Sequence, residues 1–200
     1  MKRPFRSLYL GVIALLALSA ILQRVTGDSP VEPAAQAAVV DRIAPRENLE
    51  RAELIIPVRG VTKDELRDTW GQSRGAGTRR HTAIDIMAPR GSDALAVVDG
   101  TILKLFNSRA GGLTLYLGDR SKTVCYYYAH LDAYAAGIRE GMHVRQGDVL
   151  GYVGTTGNAP ANTPHLHFGI EYLPASGDWW KGEPVNPYPI LQSDDVRTMN

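Results

Sequence analysis

Between residues 55 and 192, short β-type runs alternate with glycine turns about every ten residues, and no long apolar stripe of helical period interrupts them. Such a chain has no helix layer to pack against and must bury its apolar residues by pairing strands. Leu54-Ile55-Ile56-Pro57-Val58 opens the region, and Ile84 and Ile86 give β-branched character to Thr82 through Pro89. Ala94 to Leu103 reads as two strands meeting at Asp99-Gly100, a strong turn dipeptide. Leu113–Leu117 and Thr123–Tyr128 flank Gly118 to Lys122 as a hairpin with a longer loop. Met142–Arg145 and Val149–Val153 make a second hairpin pattern around Gln146-Gly147-Asp148. Thr62 and Glu65 have capping-box spacing, which predicts one short helical turn. The expected class is all-β, a small compact domain rich in turns.

The N-terminus follows another rule. Lys2, Arg3 and Arg6 precede 15 uncharged residues, Leu8 to Leu22. That is the pattern of a secretory signal, at the upper end of its length range and just short of a comfortable membrane span. Residues 1–27 are therefore a signal peptide or a retained membrane anchor. In both cases the positive end stays in the cytoplasm and the rest is exported, to the periplasm or cell envelope. Residues 28–54, rich in proline, alanine and charge, read as a linker with a short helix around Glu47 to Leu54. Residues 55–192 form the domain and 193–200 a tail. A net charge of +1, with no basic run interleaved with aromatics, argues against a nucleic-acid surface. Cys125 is the only cysteine, which excludes an internal disulfide and a thiolate zinc cluster; it reads as a small buried hydrophobe.

The chemistry lies in the histidines. His165 and His167 stand two apart on a strand-like run, so both imidazoles project from one face and Leu166 from the other. Such a pair suits a metal, with one ring as ligand and the other beside a bound water. His81 and Asp85 are four apart. On a straight strand about 13 Å would separate them, so both reach one ion only if the chain bends between them. This places His81 on a loop and Asp85 on the strand proper. His81, Asp85 and one of His165 and His167 supply three ligands, leaving the fourth zinc position open, as a catalytic site requires. His130 ends an aromatic-rich strand, where it either packs near Tyr127 or Tyr128 or assists at the oxyanion. His143, between Met142 and Val144, reads as a surface strand residue.

His81-x-x-x-Asp85, Tyr128-Ala129-His130-Leu131, Gly151-Tyr152-Val153-Gly154-Thr155-Thr156-Gly157-Asn158 and His165-Leu166-His167-Phe168 occur in one order. Together they resemble the lysostaphin-type (LytM-like) zinc metallopeptidases, which cut peptide bonds in bacterial peptidoglycan. The resemblance covers about residues 55 to 190. It implies Zn2+ bound by His81, Asp85 and His167, with His130 and His165 assisting the water and the transition state. The implied fold is a compact antiparallel β domain of the duplicated hybrid motif (barrel-sandwich hybrid) type. One departure is Ala83, where the family usually has glycine; a positive φ there would cost about 1 kcal/mol or more.

The expected function is a zinc endopeptidase acting on peptidoglycan peptides. The alternative is a non-catalytic cell-wall binding module that regulates another hydrolase. A full set of metal and acid–base positions favours the enzyme.

Overall fold

The computed structural model describes residues 45–75 and 77–200. The charged N-terminus, its apolar run and residues 28–44 of the expected linker lie outside the described residues. The strands are β1 (Ser73–Arg74), β2 (Arg79–Arg80), β3 (Ile84–Met87), β4 (Asp93–Leu95), β5 (Gly100–Ser108), β6 (Gly112–Asp119), β7 (Val124–Tyr134), β8 (His143–Val144), β9 (Val149–Val153), β10 (His165–Tyr172) and β11 (Glu183–Val185). β1 and β2 form a separate two-stranded hairpin. The other nine make one antiparallel sheet, whose main path runs β11-β10-β7-β6-β5-β8, with β3 on β10 and β9 joining β7 to β4. The all-β class expected from the strand pattern, and the antiparallel pairing that the resemblance implied, are the ones observed. Among the described residues no helix is long and apolar enough to cross a membrane.

Strand alternation sorts β10 into two faces. Leu166, Phe168 and Ile170 are fully buried, while His165, His167 and Gly169 take the opposite side. Register continues the apolar face across the sheet. Phe168 lies opposite Ile84 on β3 and Tyr128 on β7, and Tyr128 opposite Leu115 on β6. Burying each of these large side chains contributes about 1.5–3 kcal/mol. The Tyr128 ring meets Phe168 edge-on at 5.3 Å between centroids, and its buried hydroxyl oxygen accepts the Val97 N–H at 3.1 Å. Cys125 is fully buried, as a small hydrophobe should be.

Two expected hairpins differ. β4 pairs with β9 and β5 with β6 and β8, so Asp99-Gly100 does not join partners. Gly100 lacks the positive φ of a tight hairpin turn. It is needed because a Cβ there would meet the Gly118 carbonyl oxygen at 2.2 Å. Likewise β8 and β9 pair elsewhere rather than with each other. The hairpin of β6 and β7 forms as expected, its loop closed by Asp119, whose Oδ1 accepts from Thr123 N and Val124 N at 2.8 and 2.9 Å.

The short turn at Lys63–Glu65 forms, with the Glu65 carboxylate accepting from the Thr62 N–H at 2.7 Å. Parts of the expected linker and tail belong to the core. Residues 45–50 are helical, and Leu49, Leu54 and Val196 are buried. Arg197 bridges Ile55 in parallel, and Gly60 N–H donates to Met199 O at 2.9 Å.

Candidate active site

The site grows from the polar face of β10. In the antiparallel pair with β3, His167 lies directly opposite Asp85. Directly opposed residues share a face, so the imidazole and the carboxylate meet. His81 precedes β3 outside any strand, and a bend at Ala83 turns it back toward Asp85. Ala83 is buried and has no positive φ, so alanine is unstrained where a glycine was the reference.

The outcome is a triangle of donor atoms. His81 Nε2 lies 3.1 Å from Asp85 Oδ1 and 3.0 Å from His167 Nδ1, and His167 Nδ1 lies 3.2 Å from Asp85 Oδ1. Tetrahedral donors about 2.0 Å from a zinc ion stand about 3.3 Å apart, so the spacing fits such an ion. The protonation pattern fits too. His81 Nδ1 lies 2.8 Å from the Thr69 carbonyl oxygen, which can only accept, and 3.2 Å from Arg74 Nη2, which can only donate; the shorter contact puts the proton on Nδ1 and leaves Nε2 bare. A bare nitrogen, a carboxylate oxygen and a second imidazole nitrogen converge where at most one proton can mediate. A cation satisfies all three. Burial pushes the Asp85 carboxyl up, but the His167 and His81 rings against it outweigh burial and hold it well below the usual range. Burial lowers His167, despite Asp85 beside it. Both shifts favour the deprotonated forms a metal needs.

His165 and His130 stand around this triangle. His165 Nδ1 lies 2.7 Å from Thr163 O and its Nε2 3.8 Å from Asp85 Oδ1. His130 Nδ1 lies 2.8 Å from Thr156 O. Both carbonyls again fix the proton on Nδ1 and leave Nε2 as the free lone pair. Burial lowers His130 to about 4, so its ring is neutral at pH 7.

His130 reaches the site by breaking strand alternation. β7 continues through it to Tyr134, beyond the strand end expected at His130. In a regular strand His130 would share the core face of Tyr128. Its φ of 60° reverses that, and the ring sits 5.0 Å from His165 and 5.5 Å from His167 between centroids. A left-handed conformation in a non-glycine residue is costly and concentrates at functional sites. The loop after β9 holds it. Thr156 Oγ1 donates to Leu131 O at 2.7 Å and accepts the Leu113 N–H at 3.0 Å. That contact requires glycine twice: Gly112 and Gly157 both have positive φ, and a Cβ on Gly157 would meet Gly112 N at 2.3 Å.

Three groups absent from the residue-based expectation complete the site. Thr69 offers its carbonyl to His81 and its hydroxyl to the Asp85 N–H at 2.9 Å. Arg74, on β1, places Nη2 2.5 Å from Asp85 Oδ2, leaving Oδ1 to the triangle. Tyr127, its hydroxyl pushed up to about 12 mainly by burial, lines the groove with its ring edge-on to His167 at 5.8 Å. Thr69 carries no local signal; Arg74 was legible only as part of a Gly/Ser/Arg loop. His143 is exposed and hydrogen-bonds Thr101, away from the site. His81, Asp85, His130, His165 and His167 lie in a groove of about 580 Å³ open to solvent.

Comparisons with known proteins place the chain in a family. The model for peptidase family M23 matches residues 79–187. The chain is 35% identical over 144 residues to an L-Ala–D-Glu endopeptidase of Bacillus subtilis, an alignment covering 69% of this chain and 42% of that protein. A lytM structure from Ruminococcus gnavus superposes with a TM-score of 0.60 at 26% identity, covering 86% of this chain and 76% of that one. The catalytic domain of lysostaphin from Staphylococcus simulans shares the fold, with a TM-score of 0.54 at 24% identity over 66% of this chain and 96% of that one. The chain spans less than half the length of the curated relatives it matches. With more than half of its residues matched by the family model, this chain belongs to peptidase family M23.

Proposed function

We propose that the protein is an exported zinc-dependent endopeptidase that hydrolyses peptide bonds of bacterial peptidoglycan. His81 Nε2, Asp85 Oδ1 and His167 Nδ1 would hold the metal. When bound, zinc supplies a water of lowered pKa and a Lewis acid for the scissile carbonyl. The observation that carries the reading is the donor triangle with edges of 3.0–3.2 Å at the floor of an open groove. His165 and His130 each present a free Nε2 beside it. As neutral bases they take a proton from the attacking water and return it to the leaving amine, and as cations they stabilise the oxyanion. The relative named an L-Ala–D-Glu endopeptidase supports a peptide substrate of that kind. The charged N-terminus followed by an uncharged run supports export.

The test is a muropeptide digest. Purified protein with zinc releases new amino termini from cell-wall sacculi, and a chelator abolishes the release. His81→Ala loses both the bound zinc and the cleavage. Cleavage at full rate after that substitution overturns the reading, and zinc binding without any release of peptides points to a binding module instead.

A further inference from the structure

The groove has unequal walls. One comes from the β1–β2 hairpin and carries Arg74, Arg79 and Arg80. Away from that hairpin the lining residues Ala110, Gly111, Asn158, Ala159 and Pro160 bear no charge. Among the described residues Asp85 is the only carboxylate lining the groove, and it is committed to the donor triangle and to Arg74. Arg79 and Arg80 are exposed and have no carboxylate partner among the described residues. Arg59, Arg90 and Arg120 are paired with Asp93, Asp132 and Asp99, whereas Arg109, Arg139 and Arg145, like Arg79 and Arg80, have no carboxylate partner among the described residues. The chain as a whole carries only +1, so the wall is a local concentration of charge rather than general basicity. Surface arginines are most often merely solvated. These two differ in standing at the rim of a concave site, where low-dielectric walls focus the field and a guanidinium grips a carboxylate in bidentate fashion.

We infer that Arg79 and Arg80 select peptides bearing a free carboxylate close to the scissile bond, and disfavour neutral ones. The inference rests on the endopeptidase reading and narrows its substrate. Glycine bridges carry no ionisable group along their length and leave this wall without a partner. Stem peptides whose acidic residues keep a free carboxylate supply one. Amidation of that carboxylate removes the charge and keeps the shape, so it isolates the contact.

Two synthetic stem peptides, identical except for a carboxylate in one and a carboxamide in the other, are compared on the full zinc-loaded chain. The expected result is a kcat/KM about tenfold higher for the carboxylate, as a charge-assisted contact gives. The preference shrinks as salt rises from about 0.05 to 0.5 M. In the double variant Arg79→Gln/Arg80→Gln the ratio falls to about one. Circular dichroism confirms that the variant is folded. Equal rates on both peptides in the parent protein, or an unchanged ratio in the variant, overturn the inference while leaving the hydrolase reading intact. Where neither peptide is cut, the hydrolase reading fails, and calorimetric binding of the same pair decides the inference. Tighter carboxylate binding that the double variant loses supports it, and equal binding overturns it.

Discussion

Thr69 Oγ1 accepts the backbone N–H of Asp85 at 2.9 Å, while the carbonyl of the same threonine takes the Nδ1 proton of His81 at 2.8 Å. One residue therefore sets the position of one candidate ligand and the tautomer of the other. Thr69→Val keeps the carbonyl and the shape but removes the hydroxyl acceptor. Outer partners of this kind typically change metal affinity 10- to 100-fold. The expected loss is about tenfold in zinc affinity, read by competition with a chromogenic chelator, with the fold retained.

Metal occupancy should register in stability. Without a cation, the three converging donors have at most one proton between them. Zinc at a thousand times its Kd stabilises the folded state by about 4 kcal/mol. For a chain of this size that is a rise in Tm of about 8–16 °C. Calorimetric scans with zinc and with excess chelator measure it directly. Coincident scans would show that the triangle binds no ion.

His130 combines two demands that separate on substitution. Its φ of 60° disfavours any side chain, and its Nε2 belongs to the proposed chemistry. His130→Gly should fold about 1 kcal/mol more stably than His130→Ala, because glycine tolerates the left-handed region. Both should lower kcat by a similar factor, about 10²- to 10⁴-fold, since each lacks the imidazole. Urea denaturation and peptide hydrolysis read the two effects separately.

What the residues alone conveyed, and what they did not, divides along range. β-branched Ile84 and Ile86 placed Asp85 on a strand, and the need for a bend put His81 before it; both are local properties, and both arrangements are present. His165 and His167 could not be told apart that way, because period two puts them on one face. The register of β10 against β3, which sets His167 opposite Asp85, decides which of them completes the triangle. The reversal at His130 depends on a loop some 26 residues later, so alternation alone assigned it to an ordinary strand end. Asp99-Gly100 misled for a related reason: the glycine answers to a distant carbonyl rather than to its own turn.

In the core, Tyr128→Phe removes the acceptor of the Val97 N–H. An orphaned buried donor costs about 1–3 kcal/mol. The variant should unfold at lower urea with an unchanged m-value, and its zinc affinity should stay that of the parent.

Glu171 gives a pH-dependent prediction away from the donor triangle. Burial raises its carboxyl above the ordinary 4.5. The folded chain then holds this proton more tightly than the unfolded chain. That stabilisation is complete below about 4.5 and is lost as pH rises through the higher folded value. Glu171→Gln removes the ionisation but keeps the shape. The variant should melt close to the parent at pH 4 and above it at pH 8. A difference independent of pH would show that the charge is not what matters there.

Because β10 is flanked on both sides, by β7 and by β3 and β11, the histidines it carries cannot separate from their neighbours without unzipping the middle of the sheet. Amides of this strand should be among the last to acquire deuterium. The arginines, by contrast, ride on a two-stranded flap with its own small ladder. Substitutions confined to Arg79 and Arg80 would therefore reset the proposed peptide preference while Arg74 keeps its hold on Asp85.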